Sequence, residues 1–341
     1  MAQRMGCREM RHCYTAAITF AASSLQPRVG GVTMQQVTVS VPASTSNLGP
    51  GYDCLGVALR LHNSVTVIRG KMQGSSHSRI VSDAAERFFK QTRRRAFSFS
   101  CSIVERVPRC RGLGSSATVR LGILLALNRL SGNPLDRLSL FGLCAELEGH
   151  PDNAAPASFG GFTVVRSARP AGRTPQRGVP TVQRFSVSSR LYFVLVVPEL
   201  EIETSKARRV LPKEISRVAA VQNSANACAI TAAFASRDYE KMRGAFSDNL
   251  HQPFRTKLIP FLPRVIAAAE NARALGGFLS GSGSTIAAVT LHAPKKVAVV
   301  MARAADITGR TIITRADNRG AQVLSHRSPI TISSWAADLS S

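Results

Sequence analysis

The chain has 341 residues, 44% hydrophobic and 19% charged, which is the balance of a folded protein long enough for about two domains and excludes a disordered or collagen-like chain. Lysine and arginine number 44 against 20 acidic residues, leaving a formal charge of +24, but there is one Trp, four Tyr and no zinc-finger spacing, aromatic RNA-recognition signature or basic heptad region. The charge therefore reads as a basic surface with no nucleic-acid partner, and the longest apolar runs, 121–127 and 191–198, are core-sized, so no membrane partner is expected.

Residues 1–33 carry Arg4, Arg8, Arg11 and Arg28 against Glu9, with an Ala/Thr/Ser stretch at 15–24. They faintly resemble an organelle-targeting presequence; their apolar stretch is broken by Ser and Thr and lacks a clear small-x-small cleavage site, so no secretory signal is expected, and we read Met34 as the natural start, with 1–33 as an extension outside the fold. After Met34, Val37, Val39 and Val41 alternate as in a half-buried strand. A Gly/Pro-rich loop follows at 47–51, then an extended region over about 55–69 and an alternating strand through Phe97, Phe99, Cys101 and Ile103. A long apolar helix is expected from about 115 to 130, closed by Gly132 and Pro134. These elements compose a first domain over 34–165. Residues 166–190 hold six arginines, three prolines and no acid, and read as an exposed linker or loop. A second domain, 191–325, opens on a buried strand at Leu191–Pro198. It includes a helix near 262–275, with Leu262, Val265, Ile266, Ala269 and Leu275 at helical spacing and Gly276 as its C-cap. Residues 326–341 read as a tail. Seven cysteines form no C-x-x-C pair and no N-x-S/T site occurs, which favours a reducing, cytoplasmic location with thiols serving as small buried hydrophobes.

The chemistry-bearing stretch is VPRCRGLGSSAT at 107–118, leading straight into the apolar helix. Gly112 and Gly114 allow close backbone approach, Ser115 and Ser116 can cap, and a helix start offers free N–H groups at a positive dipole end. That suits a polyphosphate. The Walker pattern and the protein-kinase H-R-D and D-F-G elements are absent, so this is a different phosphate loop.

The loop resembles the P-x-x-x-G-L-G-S-S-A motif of the GHMP kinase superfamily, with Cys110 where that family usually carries a small residue. Pro42-Ala43-Ser44-Thr45-Ser46-Asn47-Leu48-Gly49-Pro50-Gly51-Tyr52-Asp53 resembles its first motif, and Leu279-Ser280-Gly281-Ser282-Gly283-Ser284 its third, with Ser284 at a position often occupied by proline. Within the superfamily, 42–59, Glu148–Pro156, Glu203–Arg208 with Val210-Leu211-Pro212, and Asp248–Arg255 are similar to the homoserine kinase family. The resemblance spans about residues 36–290.

It implies an α+β GHMP kinase fold: two α/β domains with an ATP cleft between them, the C-terminal one ferredoxin-like. It implies ATP and Mg2+ as cofactors and L-homoserine as the small-molecule substrate, phosphorylated on its hydroxyl on the route to threonine, and it leaves a homodimer open. Nucleotide-binding residues would be Pro108, Arg109, Cys110, Arg111, Gly112, Leu113, Gly114, Ser115, Ser116, Ala117 and Thr118. Mg2+ would take Ser116 or Ser115 together with Glu148, with Glu146 two residues away as a competing carboxylate. Asn47, Asp53, Asn153 and Thr204 would hold the ammonium and hydroxyl ends of the substrate, Arg208 and Arg255 its carboxylate, and Ser282 and Gly283 would complete the site. Asn47, Asp53 and Arg208 form the expected catalytic set, in which Asp53 is a base or only orients the substrate. His150 and His251 read as structural; Asp152 stands equally as functional or structural. The alternative, a kinase for another small alcohol such as mevalonate, would keep the three motifs and lack the 204–208 and 251–255 segments.

Overall fold

A computed structural model describes residues 16–18, 36–70, 78–166 and 180–324, and only the backbone for 16–18. The first half is built from β1 (Ala16–Ile18), β2 (Gln36–Asn47), β3 (Gly51–Arg69), α1 (Arg79–Thr92), β4 (Phe99–Val104), α2 (Ser115–Leu130), α3 (Arg137–Glu148), α4 (Ala154–Phe159), β5 (Phe162–Arg166) and β6 (Thr181–Phe185). The second half comprises β7 (Tyr192–Pro198), α5 (Thr204–Arg209), α6 (Arg217–Ser236), α7 (Gln252–Arg255), α8 (Leu262–Asn271), β8 (Gly276–Leu279), β9 (Ile286–Thr290), α9 (Pro294–Ala305), β10 (Gly309–Arg315) and β11 (Gln322–Leu324).

Val37, Val39 and Val41 of β2 and Val65 and Val67 of β3 face a first core that α1 to α4 cover from the other side. Because α2 is wrapped by the sheet and by α1, α3 and α4, most of its residues are apolar and buried, with Arg120 and Arg129 as its charged side chains. The β2–β3 register is interrupted between Pro42 and Ala43, and beyond that point Ala43, Leu55, Val57 and Leu59 fill a second core instead. The second sheet is antiparallel in the order β10-β7-β9-β8 and carries α8 and α9 on one face. Its β-α-β-β-α-β succession is the ferredoxin-like arrangement. Strand β7 is buried on both faces: Phe193, Leu195 and Val197 point into the second core, Val194 and Val196 into a third beneath α8 and α9. That is why 191–198 reads as an unbroken apolar run.

Several expectations change. Part of the supposed linker is strand: β6 pairs with β5, Phe162 facing Phe185, while 167–179 lie outside the described residues. Ala16–Ile18 of the supposed extension pair with Phe99–Cys101 of β4, supplying hydrogen bonds that a bare edge strand would lack; the rest of 1–33 lies outside the described residues. Strand β11, expected in the second half, returns to pair with β2. The tail at 326–341 is outside the described residues. Finally, α8 stops at Asn271, short of the expected 275. Arg273 takes φ +73° and Ala274 N–H reaches back to the Ala269 carbonyl, so Gly276 opens β8 and caps nothing. No helix among the described residues is long and apolar enough to cross a membrane.

Candidate active site

The last four residues of β2, Ser44 to Asn47, are polar yet buried, and buried polar groups need partners. Theirs lie on three separate loops. Ser44 Oγ donates to Asn153 Oδ1 at 2.8 Å, and Asn153 Nδ2 donates to Ser46 Oγ at 3.0 Å. Thr45 Oγ1 and Ser280 Oγ are 2.8 Å apart, and Asn47 Nδ2 donates to the Gly281 carbonyl at 2.9 Å. Ser44 N–H reaches the Leu113 carbonyl, and Gly281 N–H that of Ser46. The strand end thus knits segments 42–53, 107–118, 148–156 and 279–284 around one cleft of about 470 Å³.

At one end of the cleft stands the amino terminus of α2. Gly112 and Gly114 have φ of +72° and +66°. A Cβ on the first would run into the Ser280 carbonyl oxygen, and on the second into Ser44 Oγ. Their need for glycine therefore comes from packing against the chain's own loops as much as from approach to a ligand. Residues 109–116 line the cleft, whereas Pro108, Ala117 and Thr118 do not. Pro108 precedes the turn; Ala117 and Thr118 point inward, the Ala117 carbonyl accepting from Cys144 Sγ and Thr118 Oγ1 from Asn63 Nδ2. Cys110 is exposed on the cleft, as Cys228 is exposed elsewhere, so only Cys101 and Cys144 match the expectation of fully buried thiols, Cys54 being half-buried. Cys7 and Cys13 lie outside the described residues.

Ser116 Oγ donates to Glu148 Oε2 at 2.7 Å, and Arg120 Nη1 holds Oε1. The geometry thus couples Ser116, and not Ser115, to Glu148. Glu146 points the other way on α3 and pairs with Arg87 at 2.8 Å on the outer surface. A hydroxyl and a carboxylate beside a phosphate loop are hard oxygen donors suited to Mg2+. Among the described residues no cluster of three or more Asp, Glu, His or Cys could hold a metal alone, so phosphate and water oxygens must complete such a shell.

The opposite end gathers Asp53, Arg208 and Arg255 around Tyr52. Asp53 takes φ +57°, a region aspartate tolerates better than most residues, and its N–H donates to Asn47 Oδ1 at 3.0 Å. Its turn is tethered by His251 Nε2, 2.9 Å from the Gly49 carbonyl, and by Asn223 Nδ2 donating to the Pro50 carbonyl. Arg208, on α5, donates to Asp53 Oδ1 at 2.7 Å. Burial disfavours its charge, but Asp53 outweighs this and raises its pKa. Arg255, at the end of α7, is 2% exposed; it donates from Nε to the Ala207 carbonyl and from Nη1 to the Gly281 carbonyl, and Nη1 lies 3.2 Å from His251 Nδ1. Both guanidiniums lie 5.5 Å from the Tyr52 ring centroid. Burial pushes Arg255 down and His251 down to about 4, so His251 is a neutral acceptor.

Asn47 and Asn153 line the cleft, and each amide also ties the framework: Asn47 to the Gly281 carbonyl and the Asp53 N–H, Asn153 to Ser44 and Ser46. Gly283 is turned away, its Cβ position facing Ile259 and Leu279, while Thr204 and Ser282 line the cleft with their hydroxyls 3.4 Å apart. His251 is fully buried and does not line the cleft. His150 faces the cleft, with Nδ1 2.8 Å from Asp152 Oδ1. Burial opposes its charge, yet Asp152 raises its pKa; Asp152, though buried, is held down by the same contact. Tyr52 and an apolar wall of Ile80, Ile103 and Val119 also line the cleft; in the sequence the wall carries only strand and helix periodicity, which marks core and cleft alike.

The pattern for the GHMP kinases N terminal domain matches residues 79–161, and that for GHMP kinases C terminal matches 230–306. A homoserine kinase of Microchaete diplosiphon is 35% identical over 309 residues, covering 85% of this chain and 98% of that protein. One of Moorella thermoacetica is 36% identical over 278 residues, 78% of this chain and 91% of its own. The crystal structure of a homoserine kinase from Cytophaga hutchinsonii superposes with a TM-score of 0.76 at 26% identity, covering 88% of this chain and all of that one.

Proposed function

Since the chain belongs to the homoserine kinase family of GHMP kinases, we propose that it transfers the γ-phosphoryl group of ATP to the side-chain hydroxyl of L-homoserine, giving O-phospho-L-homoserine for threonine biosynthesis. The observation that carries the substrate reading is Arg255: a buried guanidinium on the cleft wall whose described acceptors are two carbonyls and a neutral imidazole. A buried cation without a directly bonded carboxylate is costly, and the substrate carboxylate supplies the missing charge, shared with Arg208. Asp53, Asp152 and His150 form the polar wall for the ammonium and hydroxyl. Because phosphoryl transfer passes through a loose transition state, Asp53 acts by orienting the hydroxyl and needs no strong basicity.

The α2 amino terminus and the 109–116 loop would hold the phosphates of ATP, and Ile80, Ile103 and Val119 would offer its base an apolar wall. Ser116 and Glu148 would hold Mg2+, which would supply positive charge to offset the negative charge of the transferring phosphoryl group. A cytoplasmic location and a homodimer belong to the same reading. A coupled ADP-release assay with homoserine, threonine, serine and mevalonate at fixed Mg·ATP tests it: homoserine is turned over best, and no turnover with homoserine, or faster turnover of mevalonate, overturns the assignment.

A further inference from the structure

Arg120 lies one helical turn after Ser116 on α2, so the two side chains share a face, and both reach the same carboxylate. Ser116 Oγ takes Glu148 Oε2 at 2.7 Å, and Arg120 Nη1 takes Oε1. Glu148 is the last residue of α3, where the helix carbonyls present partial negative charge, an unfavourable place for a carboxylate without a counter-cation. Its side chain is only 5% exposed, so water compensates little. Arg120 does not itself line the cleft. Among the described residues its buried Nε finds no acceptor, a cost on the order of 1–3 kcal/mol that marks its placement as serving Glu148 and not its own hydrogen bonding.

We propose that Arg120 is a positioning residue that cancels the charge of Glu148, so that the cleft accepts a divalent cation as its nucleotide complex and not as the free ion. The inference rests on the reading above, in which Ser116 and Glu148 hold the cation of Mg·ATP. Charge balance carries it. Glu148 contributes a single negative charge and Arg120 removes it; Arg109 and Arg111 on the same wall are offset by their pairs with Glu105 and Glu201, so the α2 amino terminus is what adds positive potential there. A strongly hydrated cation gains little from one neutralised carboxylate and one hydroxyl; polyphosphate oxygens bring the missing negative charge. Arg120 also pins Oε1, so the edge left to share is Oε2, which Ser116 now occupies.

The test is Mn2+ binding to the full chain, read from the electron paramagnetic resonance signal of the unbound ion, with and without a non-hydrolysable ATP analogue, each after subtracting the Mn2+ that the same solution binds without protein. Wild type takes up Mn2+ only with the analogue. Arg120→Met binds free Mn2+ at least about tenfold more tightly than wild type, the size expected for one unit charge a few ångströms away in a half-screened site, and Arg120→Lys restores the wild-type pattern. Arg120→Gln carries the same test should the methionine variant fail to fold. A folded neutral variant that binds free Mn2+ no better than wild type, or a wild type that binds it equally well without nucleotide, overturns the proposal. Glu148→Gln separates the two levels. If it leaves Mn2+ uptake with the analogue unchanged, the underlying cation reading falls and takes this proposal with it. If it abolishes uptake while the Arg120 variants are silent, only the role of Arg120 falls.

Discussion

The two arginines of the substrate end differ in what they cost the fold. Arg255 is buried and tied to Ala207, Gly281 and His251, whereas Arg208 is part-exposed and its ion pair among the described residues is with the part-exposed Asp53. An exposed ion pair contributes little to stability, so Arg208→Ala should shift the urea unfolding free energy by less than about 1 kcal/mol. The same change should cut kcat/KM for homoserine severely, which steady-state kinetics beside the unfolding curve will check. Arg255→Ala should raise the homoserine KM by about 10- to 100-fold, the worth of a charge-assisted contact, and move the ATP KM far less. Equal effects on both would argue against a carboxylate clamp.

Short elements hold the site, and their ends matter more than their lengths. At the start of α2, Gly114→Ala would force a Cβ into Ser44 Oγ in a left-handed conformation. We expect a loss of about 2 kcal/mol in stability together with a raised ATP KM, measured by urea titration and by kinetics at saturating homoserine. Preceding α7, Asp248 accepts the N–H groups of Leu250, His251 and Gln252, and His251 in turn holds the 49–53 turn. Around its ring stand Asp248, Arg255, Asp152 and the Gly49 carbonyl. In the unfolded chain this histidine takes a proton near pH 6.5, while burial holds it back to about 4 in the fold. The unfolded state therefore binds more protons between those limits, and stability falls as pH drops from about 6.5 toward 4. The urea midpoint of His251→Gln should decline less over that range; an identical slope would sink this account.

At the scale of the molecule, the two halves are not beads on a linker. Ala43, Leu55, Val57 and Phe162 of the first sheet share one core with Phe193, Leu195, Phe234 and Phe278 of the second half, and Phe162 stacks on Phe234 with centroids 4.0 Å apart. Phe162→Ala should cost about 3–5 kcal/mol and lower a single cooperative unfolding transition; two separated transitions, only one of them shifted, would contradict a shared core. The +24 charge acts at this scale too. A basic molecule attracts polyphosphate from a distance, so the association rate of ATP should fall steeply with added salt while that of zwitterionic homoserine changes little, as stopped-flow measurements can show. Much of this was legible beforehand. The alternation of Val37, Val39 and Val41, the α2 helix and the loop before it follow from neighbours in the chain, because strand parity, helix propensity and glycine turns are local properties. The end of α8 was not legible, since Leu275 keeps the apolar spacing while its N–H already bonds Val289 across the sheet. The strand character of 181–185 was hidden as well: it comes from pairing with β5, and the arginines and prolines around it gave no sign of a partner. What the order of residues determined by itself was therefore the inventory, a phosphate loop on a helix start and a set of carboxylates and guanidiniums able to grip a zwitterion. Only the tertiary structure decided which of them face the cleft, because the pairs that settle it, Asp53 with Arg208, Ser116 with Glu148 and the Asn47 and Asn153 amides with their loops, join residues mostly far apart in sequence, where no local pattern carries information.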